Sequence, residues 1–134
     1  DYRIIWEFRH ESWLNYSVSN VMKEKKISYC CVDEPQLPGL IPPIVRVFND
    51  TAYLRFHGRN KTNWWKNQRD LRYDYLYTSE ELDEWMNKIQ YLTAEAEMVY
   101  IFFNNCHLGK AVKNAKMLQK KLTEIELHNE TGIL

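Results

Sequence analysis

The stretch AYLRFHGRN, residues 52–60, alternates like a β-strand: Leu54 and Phe56 share one parity, and Tyr53, Arg55, His57 and Arg59 share the other. Successive strand side chains point to opposite faces, so the three basic groups are expected to project together. Facing water they would be a solvated edge. Facing an interior they would cost several kcal/mol each unless paired or used. Which case holds depends on what surrounds the strand.

On the N-terminal side, YRIIWEFRH (residues 2–10) reads as a strand with Trp6 and Phe8 on one face and Ile5, Glu7 and Arg9 on the other. A helix fits residues 15–26, with Val18, Val21 and Met22 as its apolar stripe. ISYCCVDEP (residues 27–35) is a second strand closed by Pro35, and the proline-rich QLPGLIPPIVRVFND after it is a loop. After the third strand comes a polar and aromatic loop, RNKTNWWKNQRDLRYDYLYT (residues 59–78). Thr78 and Glu81 then form a capping box for a helix running to about Ala96, its buried side marked by Leu82, Trp85, Met86, Ile89 and Leu92 or Thr93. MVYIFFNN (residues 98–105) is the fourth strand, and Gly109 leads into a last helix with Ala111, Ala115, Leu118, Leu122 and Ile125 at helical spacing.

The order β-α-β-loop-β-α-β-α implies parallel strands with helices outside. Four such strands make a small open sheet, or half of an eight-stranded barrel of about 250 residues. Polar residues at the C-terminal strand ends favour the barrel half: Glu7, Arg9 and His10, then Asp33 and Glu34, then Arg55, His57 and Arg59, then Asn104 and Asn105. The blocks EFRHESW (7–13), VDEPQLPGL (32–40), YLRFHGRN (53–60), RYDYLYTSEEL (72–82) and FFNNCHLGKAVKNA (102–115) together resemble the YecE-like family, catalogued as domain of unknown function 72. The resemblance implies a TIM-type barrel about twice this length, of which the chain corresponds to the C-terminal half, strands five to eight, as a single unit. It implies no activity, because the family has none agreed.

The 134 residues suffice for one domain with a core, and 45% hydrophobic content argues against disorder. Zero formal net charge leaves no global field toward nucleic acid or membrane, so such attraction must come from a local patch. Three cysteines, with Cys30 and Cys31 adjacent, suggest reduced, cytoplasmic usage rather than a disulfide framework. Sequons begin at Asn15, Asn49, Asn60 and Asn129 and are read as chance. No transmembrane run or signal peptide is evident. The chain starts with Asp1 and enters a strand almost at once, so a preceding segment is expected. A half barrel exposes two parallel edges, and the expected partner is a complementary barrel half or a second copy in a self-paired dimer.

In the barrel reading, Glu7, Arg9, Asp33, Arg55, His57 and Asn104 point into the barrel, while Trp6, Phe8, Val32, Leu54, Phe56, Ile101 and Phe103 face the helices. Arginines and a histidine suit a phosphate or carboxylate, with Arg55, His57 and Arg59 taking the anion and Glu7 or Asp33 as base. Arg9, Asn104 and Asn105 are further candidate ligand contacts, the asparagines equally able to cap a turn. From Arg55 to Arg72 the stretch adds Lys61, Lys66, Arg69 and Arg72 against the single acid Asp70, with Trp64, Trp65, Tyr73, Tyr75 and Tyr77 interleaved or adjacent. Trp64 and Arg72 are the residues expected to touch a ligand there. Basic plus aromatic also suits single-stranded nucleic acid. Equally, the tryptophans cap the barrel and the cations are solvated.

No cofactor is implied. His10, His57 and His107 with Glu7, Glu11 and Asp33 have the types to bind a divalent metal, but the spacing is not that of a metal motif and the arginines would repel one. Glu7 and Asp33 qualify as a glycosidase pair by type, yet arginines holding both ionised would leave no acid. Cys31, with inward parity below the mouth, and Cys106 lack a paired base. The reading is an anion site serving phosphoester or nucleic-acid hydrolysis. The alternatives are a non-catalytic phosphate or nucleic-acid binding barrel, or a fragment inert without its other half.

Overall fold

The computed structural model describes residues 2–66 and 69–131. The side chains of Arg69, Asp70 and Asn129, singled out above, lie outside the described residues. Four parallel strands stand in chain order: β1 (Ile5–Trp6), β2 (Ser28–Asp33), β3 (Thr51–Phe56) and β4 (Met98–Phe103). Among the described residues four helices accompany them: α1 (Tyr16–Glu24), the short α2 (Arg69–Arg72), α3 (Ser79–Glu95) and α4 (Lys110–Thr131). No helix crosses between β2 and β3, as the proline-rich composition of that segment requires.

The first strand is far shorter than the alternation of residues 2–10 suggests. It has a neighbour on one side only, and a single-turn 3-10 helix begins at Glu11, capped by His10. The loop after β3 also holds a helical turn, α2, that no apolar periodicity announces.

Two adjacent layers make the core. Tyr29, Cys31, Leu54 and Phe56 on one sheet face meet Met22 of α1, Leu82, Trp85, Ile89 and Leu92 of α3 and Leu118 of α4. The stripe of α3 is buried as expected, and its capping box is formed: Glu81 N–H donates to Thr78 Oγ1 while Glu81 Oε2 accepts from Thr78 N–H. In α4 the buried face is displaced from the expected one. Asn114 is fully buried and Ala115 exposed, because Asn114 clasps the chain ahead of α3: it donates to Tyr77 O at 2.8 Å and accepts from Tyr77 N–H at 3.0 Å. In α1, Met22 is buried and Val21 is 43% exposed.

The other sheet face carries a smaller cluster, Cys30, Val32 and Ile41, with Ile5 and Tyr53 against it. Tyr100 and Phe102 remain substantially exposed there, with Tyr53 stacked on Phe102 at 5.0 Å. This face is called the inner face below.

Candidate functional site

Register decides which polar groups meet. Val32 pairs with Arg55 and Asp33 with Phe56, while Arg55 pairs with Phe102. Paired residues of parallel strands share a face, so Cys30 and Val32 are on the inner face with Arg55, and Cys31 and Asp33 are on the helix face with Phe56. The sequence reading of β2 is therefore corrected by one residue: Asp33 and Cys31 do not point inward, and Val32 does not face the helices. Every residue of β2 is buried on both sides, which erases the alternation that would have revealed its parity.

Inner-face groups collect around Glu7, from the segment after β1. Its carboxylate accepts from His57 Nε2 at 2.9 Å and Arg9 at 2.8 Å, and pairs closely with Arg55. Glu7 thus reaches past β2 to the end of β3. Cys30 directs its thiol at Glu7 Oε2, 3.7 Å away, and Arg55 Nε donates to Asn104 Oδ1 at 3.4 Å. Burial alone would raise the Glu7 carboxyl; the His57 hydrogen bond and charge and the two guanidiniums outweigh it and hold it well below the usual carboxylate range. His57 is fully buried, and desolvation pushes its imidazole pKa down despite Glu7. Arg9 is the open member, with 57% of its side chain exposed.

Glu34, just past β2, is a site residue that the sequence reading left among the strand-end polar groups without a role. It is buried, and Oε1 accepts from Ile41 N–H at 2.9 Å. Desolvation, with smaller contributions from Glu7 and Asp33, pushes its carboxyl up to about 7 against the opposing Ile41 hydrogen bond and Arg9 charge. Correct parity for β2 would have found it, since inner-face Cys30 and Val32 lead to position 34.

A second cluster lies on the helix face. Asp33 accepts from Tyr77 Oη at 2.6 Å, Trp85 Nε1 at 2.7 Å, and Arg59 through Nε at 2.9 Å and a terminal nitrogen at 2.7 Å. Arg59 also pairs with Glu84 at 2.8 Å. The expectation that Arg59 projects with Arg55 and His57 is thus overturned. The strand ends at Phe56, and Gly58 at φ +92° turns the chain so that Arg59 swings to Asp33. A side chain at position 58 would meet Tyr75 Cβ at 2.7 Å in backbone that L residues avoid. Gly58→Ala is expected to cost about 1–3 kcal/mol in urea unfolding, and an unchanged midpoint would refute this account of the turn.

The remaining expected contacts are engaged by neighbouring groups. Asn105 is fully buried and donates to Tyr75 O and Asn114 Oδ1, tying the end of β4 to α4. Trp64 is buried against Tyr73, and the Arg72 guanidinium lies over its ring at 5.8 Å, so both fold into their own loop. Among its neighbours, Trp65, Lys61 and Lys66 are exposed. His10 accepts from Ser12 N–H at its own turn, and His107 stands 3.9 Å from Asp74. Among the described residues no group of three or more His, Cys, Asp or Glu is placed to hold a metal ion. Asn49 and Asn60 are engaged through their side chains with neighbouring backbone, and Asn15 caps α1. No helix among the described residues is long and apolar enough to cross a membrane.

Fold and cluster define the class: a parallel α/β protein that gathers its inner-face polar groups at the C-terminal ends of its strands, where such folds place their sites. The chain belongs to the family described as protein of unknown function DUF72, whose pattern matches residues 1–131. It is 34% identical to the UPF0759 protein YunF of Bacillus subtilis (strain 168), over 87% of this chain and 45% of that protein. Among solved structures it is similar to a DUF72 family protein (TM1631) from Thermotoga maritima MSB8, at 40% identity and TM-score 0.87 over 91% of this chain and 46% of that one. A DUF72 family protein (EF0366) from Enterococcus faecalis V583 matches at 34% identity and TM-score 0.82, over 92% of this chain and 48% of that one. The chain thus spans about half the length of the relatives it matches.

Proposed function

We propose that this chain is one half of a TIM-type barrel, a single unit whose inner face is completed by further barrel strands, and that its mouth binds an anionic group of phosphate type. Supporting the first part are the length of the relatives, the edges of β1 and β4, and the exposed Tyr100 and Phe102 on the inner face. Further strands, from the same natural chain or a partner, would cover those aromatic rings and pair the edges.

One observation carries the anion reading. Two guanidiniums surround one ionised carboxylate beside a buried imidazole that favours its neutral form, leaving one surplus positive charge while Glu34 keeps its proton. The open Arg9 presents that charge at the strand ends, where guanidinium donors match phosphate oxygens. Asn104, held by Arg55, adds an amide. Hydrolysis of a phosphoester is the chemistry this arrangement favours; a non-catalytic phosphate or nucleic-acid binder would use the same two arginines. Arg59 is left out of this reading because it turns to the helix face, toward Asp33 and Glu84.

Calorimetric titration of the full natural-length protein with inorganic phosphate tests this. Arg9→Met is expected to weaken binding about 10- to 100-fold, the loss of one or two charge-assisted hydrogen bonds. Equal affinity in the variant, or none in the parent, would remove the anion site.

A further inference from the structure

Glu7 is ionised and can only accept, so its 2.9 Å hydrogen bond with His57 requires the proton on Nε2. The lone pair of the neutral ring is then on Nδ1. That atom is buried and has no hydrogen-bond partner among the described residues. Tyr73 packs on the ring with centroids 6.0 Å apart, too far for a stacked pair to account for the nitrogen. A buried acceptor left unpaired costs free energy, and native structures leave few of them. Such an atom is met by an enclosed water or a ligand atom, and a basic nitrogen so placed can take a proton from either.

We propose that His57, through Nδ1, is the general base of the mouth, and that Glu7 is not the base but the group that orients it. This rests on the phosphoester reading above. In hydrolysis, a water held at Nδ1 gives its proton to that nitrogen as its oxygen bonds to phosphorus. The ester oxygen leaves on the opposite side with the P–O bonding pair and is protonated by solvent, to which the imidazolium then returns its proton. Glu7 fixes the tautomer and stabilises the imidazolium while it lasts, as a carboxylate behind a catalytic histidine does. Arg9 and Arg55 face the same carboxylate and keep it from taking the proton itself. The charged groups about the ring are therefore Glu7 and Arg9 from the segment after β1 and Arg55 from β3, with Tyr73 from the loop.

Long-range proton–nitrogen correlation on the full natural-length protein with ¹⁵N-labelled histidine reads the tautomer directly. His57 is expected neutral at pH 7 with hydrogen on Nε2 and a bare Nδ1; Glu7→Gln is expected to mix the two tautomers. A ring carrying hydrogen on Nδ1, or on both nitrogens, at pH 7 overturns the assignment. The second measurement is turnover of p-nitrophenyl phosphate, where His57→Gln is expected to lower kcat at least about 100-fold with KM within about twofold. Unchanged kcat in that variant, or no turnover in the parent, overturns the base role. Phosphate binding without turnover would leave the anion site standing and remove only His57 as base; a correct tautomer without phosphate binding would do the reverse to the site.

Discussion

Asp33→Ala is expected to lower stability by about 3–5 kcal/mol, the largest loss foreseen for any single polar side chain here. The carboxylate is 1% exposed and takes hydrogen bonds from Tyr77, Trp85 and Arg59. Truncation removes the acceptor of three donors at once, one a guanidinium that keeps Glu84 and two on aromatic rings packed against Phe56. Losing the donors' common acceptor costs more than the bonds themselves contribute, because the Tyr77 and Trp85 donors stay dehydrated. Asp33→Asn keeps an acceptor and the shape, so its cost should be smaller. Urea unfolding followed by tryptophan fluorescence measures both, Trp85 being a direct reporter. A loss under about 1 kcal/mol for the alanine variant would mean that the cluster does not hold the sheet to α3, and would reopen Asp33 as a mouth residue.

That contrast also explains what was legible in the residues. β3 alternates visibly because its polar and apolar positions separate by face, so Arg55 and His57 could be paired from sequence with each other and with Glu7. β2 has nothing to alternate between, since SYCCVD is buried throughout, and Asp33 was assigned to the wrong face with Cys31. Its carboxylate resembles a mouth acid in type and position along the strand. Only the pairing with Phe56 separates it from one. Arg59 was misplaced for a different reason: two-residue periodicity stops at Gly58, and no pattern says which way the chain leaves such a turn. Helix α3 was legible to its capping box because a long amphipathic stripe with a capping pair is redundant information. Asn114 was not, because an asparagine on a helix's buried face has meaning only through the backbone it clasps. The β/α alternation gives the parallel order, the polar strand ends and the family resemblance give the barrel expectation, and the resemblance is silent on chemistry.

Glu34→Gln is expected to stabilise the protein by about 3 kcal/mol at pH 8 and by much less near pH 5. The carboxyl is 2% exposed, and its one hydrogen bond, from Ile41 N–H, reaches one of its two oxygens. Burial pushes its pKa up from 4.5 to about 7, with Glu7 and Asp33 adding to the rise and Arg9 opposing it. The folded state therefore binds this proton more tightly than the unfolded chain. Stability is greatest below about 4.5, falls as pH rises through 7, and then levels, because the folded protein must carry a charge its surroundings disfavour. Glutamine keeps an oxygen for Ile41 and never ionises, so the benefit should grow across that window and nowhere else. Unfolding free energies of parent and variant at pH 5 and pH 8 give the difference. A benefit equal at both pH values would trace to packing rather than to the proton. No benefit at either would mean that the carboxylate is compensated by a partner completing the inner face, which is where the proposed barrel strands would lie.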